Sequence, residues 1–192
     1  MLVEFRKTGA RRYGVFVERI GAPAMMMHPA PGFDEFLPHD LLHFVAEAEW
    51  GLDGAVFGQL AAGGDAGTFW PIEQTLVRKS IRRRKRRGKS FGRGGRSELL
   101  AGVLESAWNA RHARAALPED WDERCAAARV EPDRLQAIVV TLDDLAERWH
   151  RLRVGDSLTL EWPRRRTRRT RQPQRRERAH SRHRHGAPLS QR

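Results

Sequence analysis

A single cysteine, Cys125, is all the sequence offers for thiol chemistry, which excludes an internal disulfide and a cysteine-rich zinc site. Set among alanines, it reads as a small buried hydrophobe. No apolar run approaches the roughly 20 residues that cross a bilayer. Met1 to Arg12 lacks the stretch of about 7 to 15 apolar residues that forms a signal-peptide core, so the expectation is a cytoplasmic protein with no membrane segment. A phosphate-binding loop is missing too, because the GKS at 88–90 needs glycine at position 83 and has Arg83. There is no GxSxG elbow or GxGxxG turn, and Ser80, Ser90 and Ser97 have no evident base partner. Helix-turn-helix, zinc-finger and RNA-recognition signatures are also absent, so nothing in the sequence would read bases.

Acidic residues are scarce in two places, and this sets the charge map. The 192 residues carry 36 Lys and Arg against 24 Asp and Glu, a net charge of +12. From Arg164 to the end there are 12 Arg and one Glu, and Arg78 to Arg96 holds 11 Lys or Arg and no acid. The remainder has 13 basic and 23 acidic residues, a net of −10. The basic character therefore belongs to two segments on an acidic body.

In the body, LVEFRKTGARRYGVFVER reads as two strands around a Thr8-Gly9 turn, since β-branched and aromatic residues alternate. AMMM after Gly21 is a candidate third strand, and HPAPGFDEFLP, with three prolines, is a loop. A helix is expected from near Pro38 to Trp50, ended by Gly51, and a shorter one capped by Asp53 through Ala62. IEQTLVRKSIRRRKRR has helical spacing at Ile72, Leu76 and, one turn offset, Val77 and Ile81, and Ser97 caps a helix that carries Leu99, Leu100, Val103, Leu104, Ala107 and Trp108 on one side and stops before Pro118. From Leu135 to Leu152 apolar residues recur at helical intervals, yet Thr141 and Asp144 form a capping-box-like signal that favours a start near 142. VGDSLTLEWP closes the body as a strand that pairs with the amino-terminal hairpin. The fold class is α+β: a hairpin and a carboxy-terminal strand in a small antiparallel sheet packed on several helices. Residues 1–163 form one domain with a flexible basic segment at about 82–97, and 164–192 form a disordered Arg-rich tail that cannot bury enough apolar area to order itself.

HDLLHFVAEAE carries the most specific chemistry. With His39 at zero on a wheel advancing about 100° per residue, His43 falls near 40°, Glu47 near 80° and Asp40 near 100°. Imidazoles and carboxylates on one helix face suit a divalent ion such as Zn²⁺, with a carboxylate free to act on bound water. His28, Asp34 and Glu35 in the preceding loop are candidate additional ligands. The same face is equally what the polar side of an amphipathic helix would present to solvent.

HDLLH resembles the HDxxH signature of the ubiquinone-biosynthesis family, whose metal site adds a Glu twelve residues after the second His. Ala55 stands there in this chain, so Glu47 or Glu49 would have to substitute. HD-type phosphohydrolases also use a His-Asp pair, with further ligands on other helices. The longer run from LPHDLLHF through FGQLAAGGDAGTFWP, with VGDSLTLEWP, is similar to a family of uncharacterised bacterial proteins. That resemblance implies a distinct domain reaching Pro163 and no particular activity.

The basic segments point to a polyanion. Arg82, Arg83, Arg84, Lys85, Arg86 and Arg87, with Lys89, Arg93 and Arg96, and in the tail Arg164, Arg165, Arg166, Arg168 and Arg169, would attract nucleic acid or another polyanion by counterion release. The runs at 82–87 and 164–169 have no aromatic interleaving, so binding independent of base sequence is expected. An acidic protein partner is the alternative, and contact with the acidic body a further one.

Overall fold

A computed structural model describes residues 1–31, 36–82 and 95–163 and the backbone of 83–87. Among the described residues it forms five strands and six helices. Strands β1 (Leu2–Gly9), β2 (Arg12–Glu18), β3 (Met25–Met27), β4 (Trp70–Pro71) and β5 (Ser157–Glu161) make one antiparallel sheet in the order β4-β3-β2-β1-β5. The hairpin and the pairing of β5 with β1 follow the sequence expectation. The reversal falls at Ala10-Arg11 rather than Thr8-Gly9, because Gly9 pairs with Arg12 across a register shift after Lys7. The shift takes up Thr8 as an extra residue and keeps Val3 and Phe5 on the same face as Tyr13, Val15 and Val17.

Helix α1 (His39–Trp50) begins after Pro38 and ends where Gly51 turns left-handed at φ 68°, its N–H donating to Glu47 O. Helix α2 (Val56–Ala61) is shorter than expected, and Asp53 does not cap it. Helix α3 (Gln74–Arg87) follows β4 after two residues, and α4 (Gly95–Arg111) starts two residues before Ser97, which lies inside its first turn rather than capping it. Positions 82–87 and 95–97 of the basic segment are thus helical, whereas 88–94, like the tail 164–192, lie outside the described residues. Helix α5 (Trp121–Ala128) had no clear sequence signal, and Cys125 on it is half-buried rather than buried.

Helix α6 (Pro132–Arg151) is continuous, which corrects the expected start near 142. Thr141 donates its hydroxyl to Ala137 O inside the helix instead of capping a new one. Burial of Ile138, Leu142, Leu145 and Trp149 in one stripe outweighs the local capping signal. Inward-facing Val3, Phe5, Val15 and Val17 form a single core with Leu41, Leu42, Phe44, Phe57, Leu100, Leu104 and Leu142. Asp143 on α6 fastens α4, accepting from Trp108 Nε1 at 3.0 Å and Arg111 Nε at 2.9 Å, and pairing with His112 Nε2 at 2.7 Å. No helix among the described residues is long and apolar enough to cross a membrane.

Candidate functional site

The α1 face that the sequence presents as a polar stripe is packed against the first turn of α4. His43 is 5% exposed and Glu47 fully buried, beside Ser97 at 1%. Glu47 does not point at a ligand position. Its Oε2 accepts from Phe57 N at 2.6 Å and Gly58 N at 3.4 Å, and its Oε1 from Val56 N at 3.1 Å and Ser97 Oγ at 2.8 Å. The carboxylate therefore supplies the N-terminal acceptor that α2 lacks in its own chain, and this replaces the expected cap at Asp53. Burial pushes the Glu47 carboxyl up to about 7, and the four donors act in the opposite direction.

Ser97 passes this orientation on. With its single proton on Glu47, its oxygen accepts from His43 Nδ1 at 2.8 Å. The tautomer of His43 is thereby set, with Nε2 left as a lone pair. That nitrogen lies 3.1 Å from His39 Nε2 and 3.5 Å from Glu98 Oε2. Burial lowers the His43 pKa, as does His39, against the opposing pull of Glu98. Ser97 is enclosed and donates away from the histidine, so the Glu47-Ser97-His43 chain runs in the wrong order for a nucleophilic triad.

His39, His43 and Glu98 form a group that could hold a metal ion, their ligand atoms all within 4.8 Å of one another. Tetrahedral ligands at zinc–nitrogen distances of about 2.0–2.1 Å stand roughly 3.3 Å apart; the two separations from His43 Nε2 bracket that value, and the exposed Glu98 side chain would have to close on His39 from within 4.8 Å. Of the four residues the sequence nominates, the structure brings His39 and His43 together. Asp40 is held elsewhere, accepting from Tyr13 Oη at 2.6 Å, and burial raises its pKa. Desolvation, then Asp40, raises the pKa of Tyr13 in turn. His28 lies against Phe16 with ring centroids 6.1 Å apart, outside the group, and Asp34 and Glu35 are not among the described residues.

Glu98 is the member of this group that the sequence did not nominate. It stands 55 positions after His43, behind a glycine-rich segment, and its sole local signal is an acid in the first turn of a helix. Among the polyanion candidates, Arg82 is exposed on α3 and Arg96 on α4. Positions 83–87 continue α3, while Lys89, Arg93, Arg164, Arg165, Arg166, Arg168 and Arg169 lie outside the described residues. No family model matches the chain, nor does any curated protein or solved structure.

Proposed function

We propose that the protein binds a divalent metal ion, Zn²⁺ first among them, through His39 Nε2, His43 Nε2 and a Glu98 oxygen. The observation that carries this reading is the buried Glu47-Ser97-His43 chain, which aims one imidazole lone pair at the other two ligands. Hydrogen-bonded support of this kind behind a histidine is how metal ligands are held and their basicity raised. Glu98 is 69% exposed on its side chain, so the group opens toward solvent. Three protein ligands leave a tetrahedral ion one position for water, as in catalytic rather than closed structural zinc sites, and such water ionises near pH 7.

The test is metal content of the full chain carrying His180, His183 and His185→Gln, which removes adventitious tail ligands. One ion per chain is expected, lost in His43→Ala and weakened in Glu98→Gln. Failure to hold stoichiometric Zn²⁺, Mn²⁺ or Co²⁺ after reconstitution would sink the reading.

A second reading, binding of nucleic acid or another polyanion without sequence specificity, is favoured by α3. Arg78, Lys79 and Arg82 are exposed on it, and no acid occurs from Gln74 to Arg87. Neutralising these three residues should lower the slope of log K against log salt by about 0.7–0.9 for each lost phosphate contact. An unchanged slope would remove α3 from the interface.

A further inference from the structure

Helix α3, the loop after α2 and the turn between β2 and β3 meet beside the short β3–β4 pair and leave a cleft of about 190 Å³. Its floor is buried Met25 and Pro71, which are partners in the register of the two strands. The loop after α2 forms one wall. Gly63 stands there at φ 85°, where a Cβ would meet no atom within 4 Å, and at Gly64 a Cβ would come within 2.9 Å of Gln59 O. Two consecutive residues without side chains therefore leave the cleft unfilled on that side.

Helix α3 forms a second wall. Leu76, Lys79 and Ser80 stand at i, i+3 and i+4, the spacing that puts side chains on one helix face, and all three line the cleft, whereas Arg78 and Arg82 do not. Leu76 and Ser80 are half-buried and Lys79 is exposed. Among the described residues no carboxylate pairs with Lys79 and no acceptor takes the Ser80 hydroxyl proton.

Arg19 completes the lining from the β2–β3 turn. Its Nε and Nη2 donate to Pro23 O at 2.9 and 2.6 Å, and its Nη1 to Leu60 O at 3.2 Å and Gly64 O at 2.7 Å. These bonds fix the guanidinium and leave one Nη2 hydrogen without an acceptor among the described residues. Burial lowers the Arg19 pKa and neighbouring Asp65 opposes this. Asp65 is the acid among the described lining residues, so it and Arg19 offset each other and Lys79 supplies the surplus charge.

We infer that this cleft binds a small monocarboxylate with a compact apolar body, its body on Met25, Pro71 and Leu76 and its carboxylate on Lys79, Ser80 and Arg19. Small-ligand pockets combine apolar lining with a few convergent polar groups in this way. One surplus positive charge matches a monoanion. A dianion such as phosphate would face Asp65 with no second free cation to offset it, and a neutral ligand would strip water from three donors and return no acceptor. The cleft shares no residue with the metal-ligand group, and only Lys79 with the polyanion reading.

The test is an NMR titration of the ¹⁵N-labelled full chain with benzoate and with hexanoate, against benzamide and inorganic phosphate at constant ionic strength. The acids are expected to bind with a Kd of about 1 mM or below, shifting the amides of Gly63, Gly64 and Ser80. The tighter of the two defines the apolar body. Benzamide and phosphate should each bind at least about tenfold more weakly. Lys79→Met should weaken the acids at least about tenfold, whereas Arg78→Gln, which removes the same charge from another face of α3, should leave them unchanged. Both positions are exposed, so neither substitution threatens the fold. Leu76→Ala should weaken binding about 3- to 10-fold. No approach to saturation by either acid at about 20 mM would overturn the site. Equal losses in Lys79→Met and Arg78→Gln would reduce the effect to diffuse charge, and phosphate binding as tightly as benzoate would remove the apolar contribution; either result overturns the inference.

Discussion

The junction of α1 with α4 and the outer face of the sheet both assemble residues far apart in the chain, under opposite exposure to water. At the junction every polar atom described from Glu47, Ser97 and His43 has a protein partner, and geometry is fixed because an unpaired group there would be costly. On the sheet face the groups are solvated and held mainly by strand register and ring contacts. The fixed geometry that the proposed metal site requires is therefore present at the first and not at the second.

The contrast is broken most directly at Glu47. Glu47→Ala leaves three backbone N–H groups and a hydroxyl without their acceptor, and a loss of about 3–5 kcal/mol is expected. The denaturant midpoint should fall with little change in slope; a midpoint equal to wild type would show that the buried chain does not hold the junction together.

The same carboxyl makes stability depend on pH. Its folded value of about 7 lies above the ordinary 4.5, so the folded chain holds the proton more tightly than the unfolded one. The stabilisation is fully present below 4.5 and is lost as pH rises through 7. Relative to Glu47→Gln, the wild type should lose on the order of 3 kcal/mol between pH 4.5 and pH 8. Parallel stability curves for the two proteins would contradict the assigned burial effect.

Ser97→Ala is a smaller change at the same place. A cost of about 1–3 kcal/mol is expected, together with metal binding weakened about 10- to 100-fold as His43 loses its orientation. Calorimetric titration with Zn²⁺ reads the second effect, and recovery in Ser97→Thr would tie it to the hydroxyl. The least effect belongs to the exposed cations: Arg78, Lys79 and Arg82→Gln together should leave the thermal transition within about 0.5 kcal/mol of wild type per site and metal affinity untouched. A marked drop in either would mean that α3 is coupled to the buried junction.

What the sequence reveals follows from how local each determinant is. The four-residue interval between His39 and His43 is a property of α1 itself, so their convergence is legible. Ser97 and Glu98 approach through helix packing, and no spacing rule reports on a contact made across more than fifty residues. Glu47 was on the nominated face but turned inward, because α2 begins without an acceptor and the nearest carboxylate satisfies it. The two-residue strand β4 is too short for alternation to show, and with it the pairing of Met25 with Pro71 stays hidden. In α6 the apolar stripe was visible, and the Thr141 signal misled because capping preferences are weaker than burial of a whole face.

The dependence of α2 on a carboxylate from α1 also bears on how such a chain can diverge. Position 47 serves the turn at 56–58 and the hydroxyl at 97 simultaneously, so a replacement there must be answered at both places before the protein is viable again. Descendants should keep the histidine pair and the entry to α2 as one heritable unit, or relinquish them jointly.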